Sequence, residues 1–167
     1  MSMNIIIQAT LRNLENTRNI LSFLSNEQLS AASIPPYYSS VGSHIRHILD
    51  FYDCILVESV ALDLTSRKRN MDVETNCKIA LNYYKVVIEK IKALEGTDLN
   101  RIVYVTDDLG LGKTEIKYTF SGLLAQATSH TIHHYAIISY IFEGLDIKVL
   151  NDSFGYNPTT PKSKSIN

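Results

Sequence analysis

The sequence predicts an all-α fold, a four-helix bundle with a small β-hairpin inserted between helices three and four. Apolar residues recur every three or four positions over four long segments, the spacing that lines one face of an amphipathic helix. Seven glycines and four prolines occur among 167 residues, and they concentrate between those segments. A stretch before the last segment is instead rich in β-branched and aromatic residues around a glycine-rich turn, as in a hairpin.

The first predicted helix covers residues 4–24, where apolar side chains repeat at helical spacing. Ser25 and Gln28 then form the pattern of a capping box, which indicates a short helical turn. Two consecutive prolines follow, and they cannot continue a helix because they lack amide donors. We therefore expect a loop over residues 31–39.

The second predicted helix takes Ser39 or Ser40 as its N-cap and runs to about Leu64. The third covers residues 72–94 and stops before Gly96, a residue type common after helix C-termini. Both segments carry an apolar stripe, so each is expected to bury one face.

The insertion comprises residues 101–106 and 115–119, which have the composition of strands, joined by the turn-rich segment 107–112. The fourth predicted helix follows over residues 121–142. The chain is expected to form one bundle domain over residues 1–150, with a polar C-terminal tail over 151–167.

Composition excludes several classes of function. Sixteen Lys and Arg balance seventeen Asp and Glu, which gives a formal net charge of -1 and no basic cluster, so no nucleic acid partner is expected. The apolar runs are far shorter than the roughly twenty residues that span a membrane. Cys54 and Cys77 do not form a closely spaced disulfide framework. A reducing, cytoplasmic location is the expectation.

All five histidines lie in two predicted helices. His44 and His47 belong to the second, and His130, His133 and His134 belong to the fourth. His130 and His134 are one turn apart on the apolar face, the i, i+4 spacing with which a helix presents two imidazoles to one metal ion. His133 is turned about 60° from His130, toward the edge of that face, so we interpret it as a flanking residue.

A third ligand has to come from the second helix, which offers two candidates. The helical wheel favours His44, because it lies closer than His47 to the middle of the apolar stripe. A rotation of about 60° separates the two choices, so the residues alone leave both open. Asp50 follows His47 by three positions, and we consider it as a partner that orients the imidazole or as an ordinary surface carboxylate.

Two motifs carry a family resemblance. Val41-Gly-Ser-His-Ile-Arg-His-Ile-Leu-Asp50 and Ser129-His-Thr-Ile-His-His-Tyr-Ala136 resemble the two histidine motifs of the DinB/YfiT-like superfamily of helical-bundle proteins, considered to be metal-dependent. The resemblance covers about residues 4–145. It implies that His47, His130 and His134 bind one divalent metal ion, and it favours His47 over His44.

The resemblance also implies an up-down-down-up order of helices. Parallel second and third helices need a long return connection, whereas about eight residues at about 3.4 Å each reach only about 27 Å. The third helix then has to start near Cys77, or the order is plain up-and-down.

Three neutral imidazoles leave coordination positions open to water or substrate, as in catalytic sites. Zinc or nickel is expected ahead of iron or manganese, following the affinity order of nitrogen-rich sites. The resemblance implies a metal-dependent enzyme, either a thiol-dependent transferase acting with a low-molecular-weight thiol or a hydrolase, on a small-molecule substrate. The alternative is a non-enzymatic binding or dimerisation module with a structural or vestigial metal site. A homodimer is compatible with a small bundle, although no sequence feature defines its surface.

Overall fold

A computed structural model describes residues 3–148 and 151–161 of the chain. Five α-helices and three β-strands follow one another within these residues. The helices are α1 (Ile5–Phe23), α2 (Asn26–Ser30), α3 (Val41–Ile55), α4 (Cys77–Lys92) and α5 (Phe120–Gly144), and the strands are β1 (Ala61–Asp63), β2 (Ile102–Asp108) and β3 (Lys113–Thr119). Two short 3-10 turns, Leu64–Ser66 and Met71–Glu74, lie between β1 and α4.

The prediction of an all-α four-helix bundle is wrong, because the fold is mixed. The hairpin β2–β3 was expected, but β1 adds to it as a third strand in the order β1-β2-β3. β1 runs parallel to β2 with Ala61 opposite Tyr104, while β2 and β3 are antiparallel. The predicted hairpin therefore supplies two of the three strands of a mixed sheet, and the connection after α3 supplies the third.

The strand β1 exists because α3 ends at Ile55, nine residues before the predicted end at Leu64. Beyond it, the Ser59 hydroxyl accepts from the amide of Ala61 and donates to the carbonyl of that residue. Such local side-chain bonds offer the backbone an alternative to helix. The Val60 carbonyl then accepts a 2.7 Å bond from the Tyr104 amide, which joins the segment to the sheet.

Polar caps define where the other helices begin. Side chains of Asn4, Ser40, Asn76 and Thr119 accept from backbone amides in the first turns of α1, α3, α4 and α5. These bonds satisfy donors that have no partner inside a helix. The predicted capping box at Ser25 is confirmed at the start of α2. Helix α4 begins at Cys77, later than the predicted position 72.

Contacts between the long helices give their directions. Thr10 contacts Thr128, and Thr17 contacts Tyr135. Later residues of α1 thus contact later residues of α5, so the two helices run parallel. The bond from Thr17 to the Tyr135 hydroxyl is 2.7 Å long and fully buried. Because both pairs have the same sequence separation, the two helices keep one register over two turns.

Helices α3 and α4 also run parallel to each other. Tyr83 contacts Asp50, and one to two turns further on Lys90 contacts Asp53. The order of the four long helices is therefore up, down, down, up. The start of α4 at Cys77 makes this order possible, since the whole segment 56–76 is available for the return connection.

The residues after α5 pack back onto it. Phe154 is 3% exposed, with its ring 5.2 Å from that of Tyr135 and 6.0 Å from that of Phe142. Gly155 has a φ of +77°, and a Cβ there would lie 2.9 Å from the Ala136 Cα atom. Glycine is therefore required for this close approach. Among the described helices, none is long and apolar enough to cross a membrane.

Candidate metal centre

Helices α3 and α5 bring four histidines together. The two helices run antiparallel, so that His44 faces His134 while His47 faces His130. Their side chains are half-buried. Since His130 and His134 are separated by one turn of α5, both rings project from the same face toward α3.

Three of the four histidines direct one nitrogen each at a common point. The Nε2 atoms of His47 and His130 are 2.8 Å apart, and those of His130 and His134 are 3.1 Å apart. The ligand atoms of all three lie within 4.8 Å of one another. Nitrogens bound to zinc at about 2.05 Å in a tetrahedron are separated by about 3.3 Å. The prediction that His47, His130 and His134 come together is confirmed, and the donor set that they form could hold a metal ion.

His44 takes a different place. Its Nδ1 atom lies 2.8 Å from Nδ1 of His134, on the side of that ring opposite the shared point. Its Nε2 atom lies 2.8 Å from the Ser39 hydroxyl. The wheel-based alternative, in which His44 replaces His47, does not match this arrangement. His133 is exposed, as expected for a flanking residue.

Burial keeps the histidines of the site neutral. It lowers the pKa of His47 to about 4, with a further contribution from the positive charge of Arg67. It also lowers the pKa of His134 to about 2, because the ring lies among the other histidines as well. The pKa values of His44 and His130 are lowered by burial and by His133. Neutral imidazole is the form that binds metal, so the site is in its ligating state at pH 7.

One wall of the site is aromatic and positively charged. The ring of Phe51, one turn after His47 on α3, lies 5.2 Å from that of His130. The Arg67 guanidinium carbon is 5.8 Å from the centre of the Phe51 ring, an arrangement typical of a cation–π contact. No carboxylate within the described ranges forms an ion pair with Arg67. The positive charge of Arg67 contributes to the lowered pKa values of His47 and His130.

Asp50 does not orient His47, so that candidate role is wrong. Its carboxylate accepts from Arg46 at 2.8 Å and from the Tyr83 hydroxyl at 3.0 Å. Arg46 also bonds Glu74 at 2.5 Å. This largely buried network ties α3 to α4 and to the second 3-10 turn, on another face of α3 from the metal site. Burial raises the pKa of Asp50, and its two hydrogen bonds oppose that rise.

Sequence reasoning missed three residues at the site, Ser39, Phe51 and Arg67, and one residue a turn before it on α5, Gln126. Gln126 lies one turn before His130, and its Oε1 atom is buried with no hydrogen-bond partner in the described part of the chain. Its i, i+4 spacing from His130 is a signal that the sequence contains. Ser39, Phe51 and Arg67 have no comparable signal, because their approach depends on how the loops and helices pack.

A scan against protein-family models finds no match to this chain, and a search of curated proteins finds no matching relative.

Proposed function

We propose that the protein is a metal-dependent enzyme of the DinB/YfiT-like class, with one divalent ion held by His47, His130 and His134. The observation that carries this proposal is the convergence of three neutral imidazole nitrogens from two antiparallel helices. The two histidine motifs and the up-down-down-up order of the long helices support the family assignment. Zinc or nickel is the proposed ion, because a nitrogen-only donor set favours metals late in the divalent affinity order.

The donor set indicates a catalytic rather than a structural ion. Structural zinc sites have four protein ligands, whereas catalytic sites have three and leave a position for water or substrate. Among the described residues, no Asp, Glu or Cys joins the three histidines as a fourth ligand. When bound, the ion supplies Lewis acidity, which lowers the pKa of a coordinated water or thiol and gives a nucleophile at neutral pH.

The surrounding residues define a preferred substrate charge. Three neutral ligands leave the positive charge of the ion unbalanced, and Arg67 adds a further positive charge near His47 and His130. An anionic nucleophile or substrate group is therefore attracted to the site. Phe51 offers an apolar surface beside it. These features support a small-molecule reaction with a low-molecular-weight thiol, or a hydrolysis.

Cobalt substitution tests the open coordination position. We expect the Co²⁺-loaded protein to give a new near-ultraviolet band when a small thiol such as cysteine is added, because sulfur enters the position that the histidines leave free. The His130→Ala variant is the control and should not show the band. Consumption of the thiol in the presence of an electrophilic alkyl halide then tests the transfer reaction directly. We expect this consumption to require both the metal ion and His130. A cobalt spectrum that does not respond to thiols or to hydroxide favours a closed, structural site.

A second candidate is a non-enzymatic binding or dimerisation module. The tip of the β2–β3 hairpin exposes two leucines close together in sequence, Leu109 by 70% and Leu111 completely, and contiguous exposed apolar surface is a feature of contact sites. Light scattering of the wild type and of a Leu109→Ser, Leu111→Ser variant tests this role. A dimer that dissociates in the double variant supports it, and a monomeric wild type contradicts dimerisation.

A further inference from the structure

A chain of hydrogen bonds leads outward from His134. Nδ1 of His134 lies 2.8 Å from Nδ1 of His44, and Nε2 of His44 lies 2.8 Å from the Ser39 hydroxyl. Ser39 ends the loop before α3, while His44 lies in the first turns of that helix. The chain thus connects the metal-facing ring of α5 to the N-terminal end of α3.

Proton positions along this chain follow from the metal-binding nitrogen. A neutral imidazole carries one proton on one of its two ring nitrogens. If Nε2 of His134 faces the ion, the proton of that ring is on Nδ1, which donates to Nδ1 of His44. His44 then has its own proton on Nε2, which donates to the Ser39 oxygen. Each contact receives one donor and one acceptor, so the arrangement is internally consistent.

We propose that His44 and Ser39 are positioning residues that fix the tautomer and the ring orientation of His134. This inference rests on the proposed metal site. Ligating histidines in proteins usually donate their second ring nitrogen to an acceptor, which orients the ring and raises its basicity. A histidine acceptor, itself held by a serine, performs that role for His134.

The anchoring is specific to one ligand. Within residues 3–148 and 151–161, the Nδ1 atoms of His47 and His130 have no hydrogen-bond partner, and their contacts involve Nε2 alone. Loss of His44 therefore frees one of the three ligands to rotate about its side-chain bonds and leaves the other two as they are. The expected consequence is weaker metal binding with an unchanged stoichiometry.

Substitution of His44 tests the positioning role by zinc affinity, measured in competition with a chromophoric chelator. His44→Leu removes the acceptor and should weaken zinc binding by about 10- to 100-fold, with one equivalent still bound at saturation. His44→Asn places an amide near the former Nδ1 position and should recover most of the lost affinity. Ser39→Ala should weaken binding by about two- to tenfold. Tyr140→Leu changes an exposed ring of α5 beyond the site and serves as the control, with wild-type affinity.

Nitrogen-15 NMR of the histidine rings gives a second readout in the zinc-loaded wild type, independent of the variants. We expect the His134 proton on Nδ1 and the His44 proton on Nε2. A His44→Leu protein with wild-type affinity, or a His134 proton on Nε2, overturns the positioning role while the metal site stands. A wild type that binds no zinc, or a His134→Ala variant that binds it as tightly as wild type, overturns the metal site and the positioning role together.

Discussion

Replacing Gly42 with alanine tests how closely the second 3-10 turn packs against α3. A Cβ at this position would lie 2.0 Å from the Glu74 carbonyl oxygen and 2.8 Å from the Glu74 Cα atom. Ordinary contact begins at 3.4 Å, so the turn or the helix has to move by about 1.4 Å. The obstacle is backbone, which cannot rotate away as a side chain can.

Three effects set the magnitude for Gly42→Ala. Forced displacement of a packed segment costs about 1–3 kcal/mol. The same movement lengthens the bond between Arg46 and Glu74, and loss of a charge-assisted hydrogen bond costs about 1–2 kcal/mol more. Alanine is favoured over glycine in a helix by at most about 1 kcal/mol, which offsets part of this. We expect a net loss of about 2 kcal/mol, or about 4–8 °C in melting temperature for a chain of this length.

Urea unfolding followed by far-ultraviolet circular dichroism measures this loss. Gly122→Ala is the matched control, since it makes the same change in α5 and the nearest obstacle is the Thr119 side chain at 3.1 Å. That variant should differ from wild type by less than about 1 kcal/mol. A Gly42→Ala protein as stable as wild type, or more stable, would refute the close packing of the turn on α3.

Three further predictions concern the buried network and the metal site. Tyr83→Phe removes a donor to the buried Asp50 carboxylate and should lower the free energy of unfolding by about 1–2 kcal/mol in urea; unchanged stability would show that this bond contributes nothing. For the metal-free protein, the folded-state pKa of His47, about 4, lies below the unfolded value of 6.5. Its contribution to stability is therefore complete above about pH 6.5 and lost as pH falls toward 4, by about 1–2 kcal/mol after allowance for partial exposure. Chemical unfolding at pH 7 and pH 4.5 measures this loss of unfolding free energy. If the unfolding free energy of His47→Leu depends on pH as strongly as that of the wild type, His47 is not its source. Arg67→Gln removes a positive charge beside the ion and should tighten zinc binding by about two- to fivefold at low salt, with a smaller gain in 0.5 M salt. Lys85→Gln, on the exposed face of α4, is the control, and equal affinities of the two variants would contradict an electrostatic effect of Arg67 on the site.

Local patterns predict that the four long helices exist and that two of the three candidate metal ligands lie together. The i, i+4 spacing of His130 and His134 on an apolar face places both rings together whatever the rest of the fold does. Caps depend on neighbouring residues only: Ser25 is found as predicted, and Ser40 is one of the two residues predicted to cap the next long helix. These features are set within a few residues of sequence, which is why sequence alone is sufficient for them.

Features that depend on distant partners were not predicted. Strand β1 has three residues, and its partner β2 lies about forty positions further along the chain. A pairing that short leaves no periodic signal, and the helix preceding it was consequently drawn too long. The helical wheel favoured His44 over His47 as the third ligand, and it was wrong for a related reason. Both histidines of α3 face α5. The antiparallel packing of α3 and α5 brings His44 to His134 and His47 to His130.

Metal content measured on untagged protein purified without chelators is the most direct test of metal binding by His47, His130 and His134. We expect about one equivalent of a divalent ion in the wild type and in His133→Ala. We expect that ion to be lost in His47→Ala and His130→Ala, with helical circular dichroism preserved. A wild type that holds no metal even after reconstitution, or variants that retain a full equivalent, would contradict the three-histidine centre.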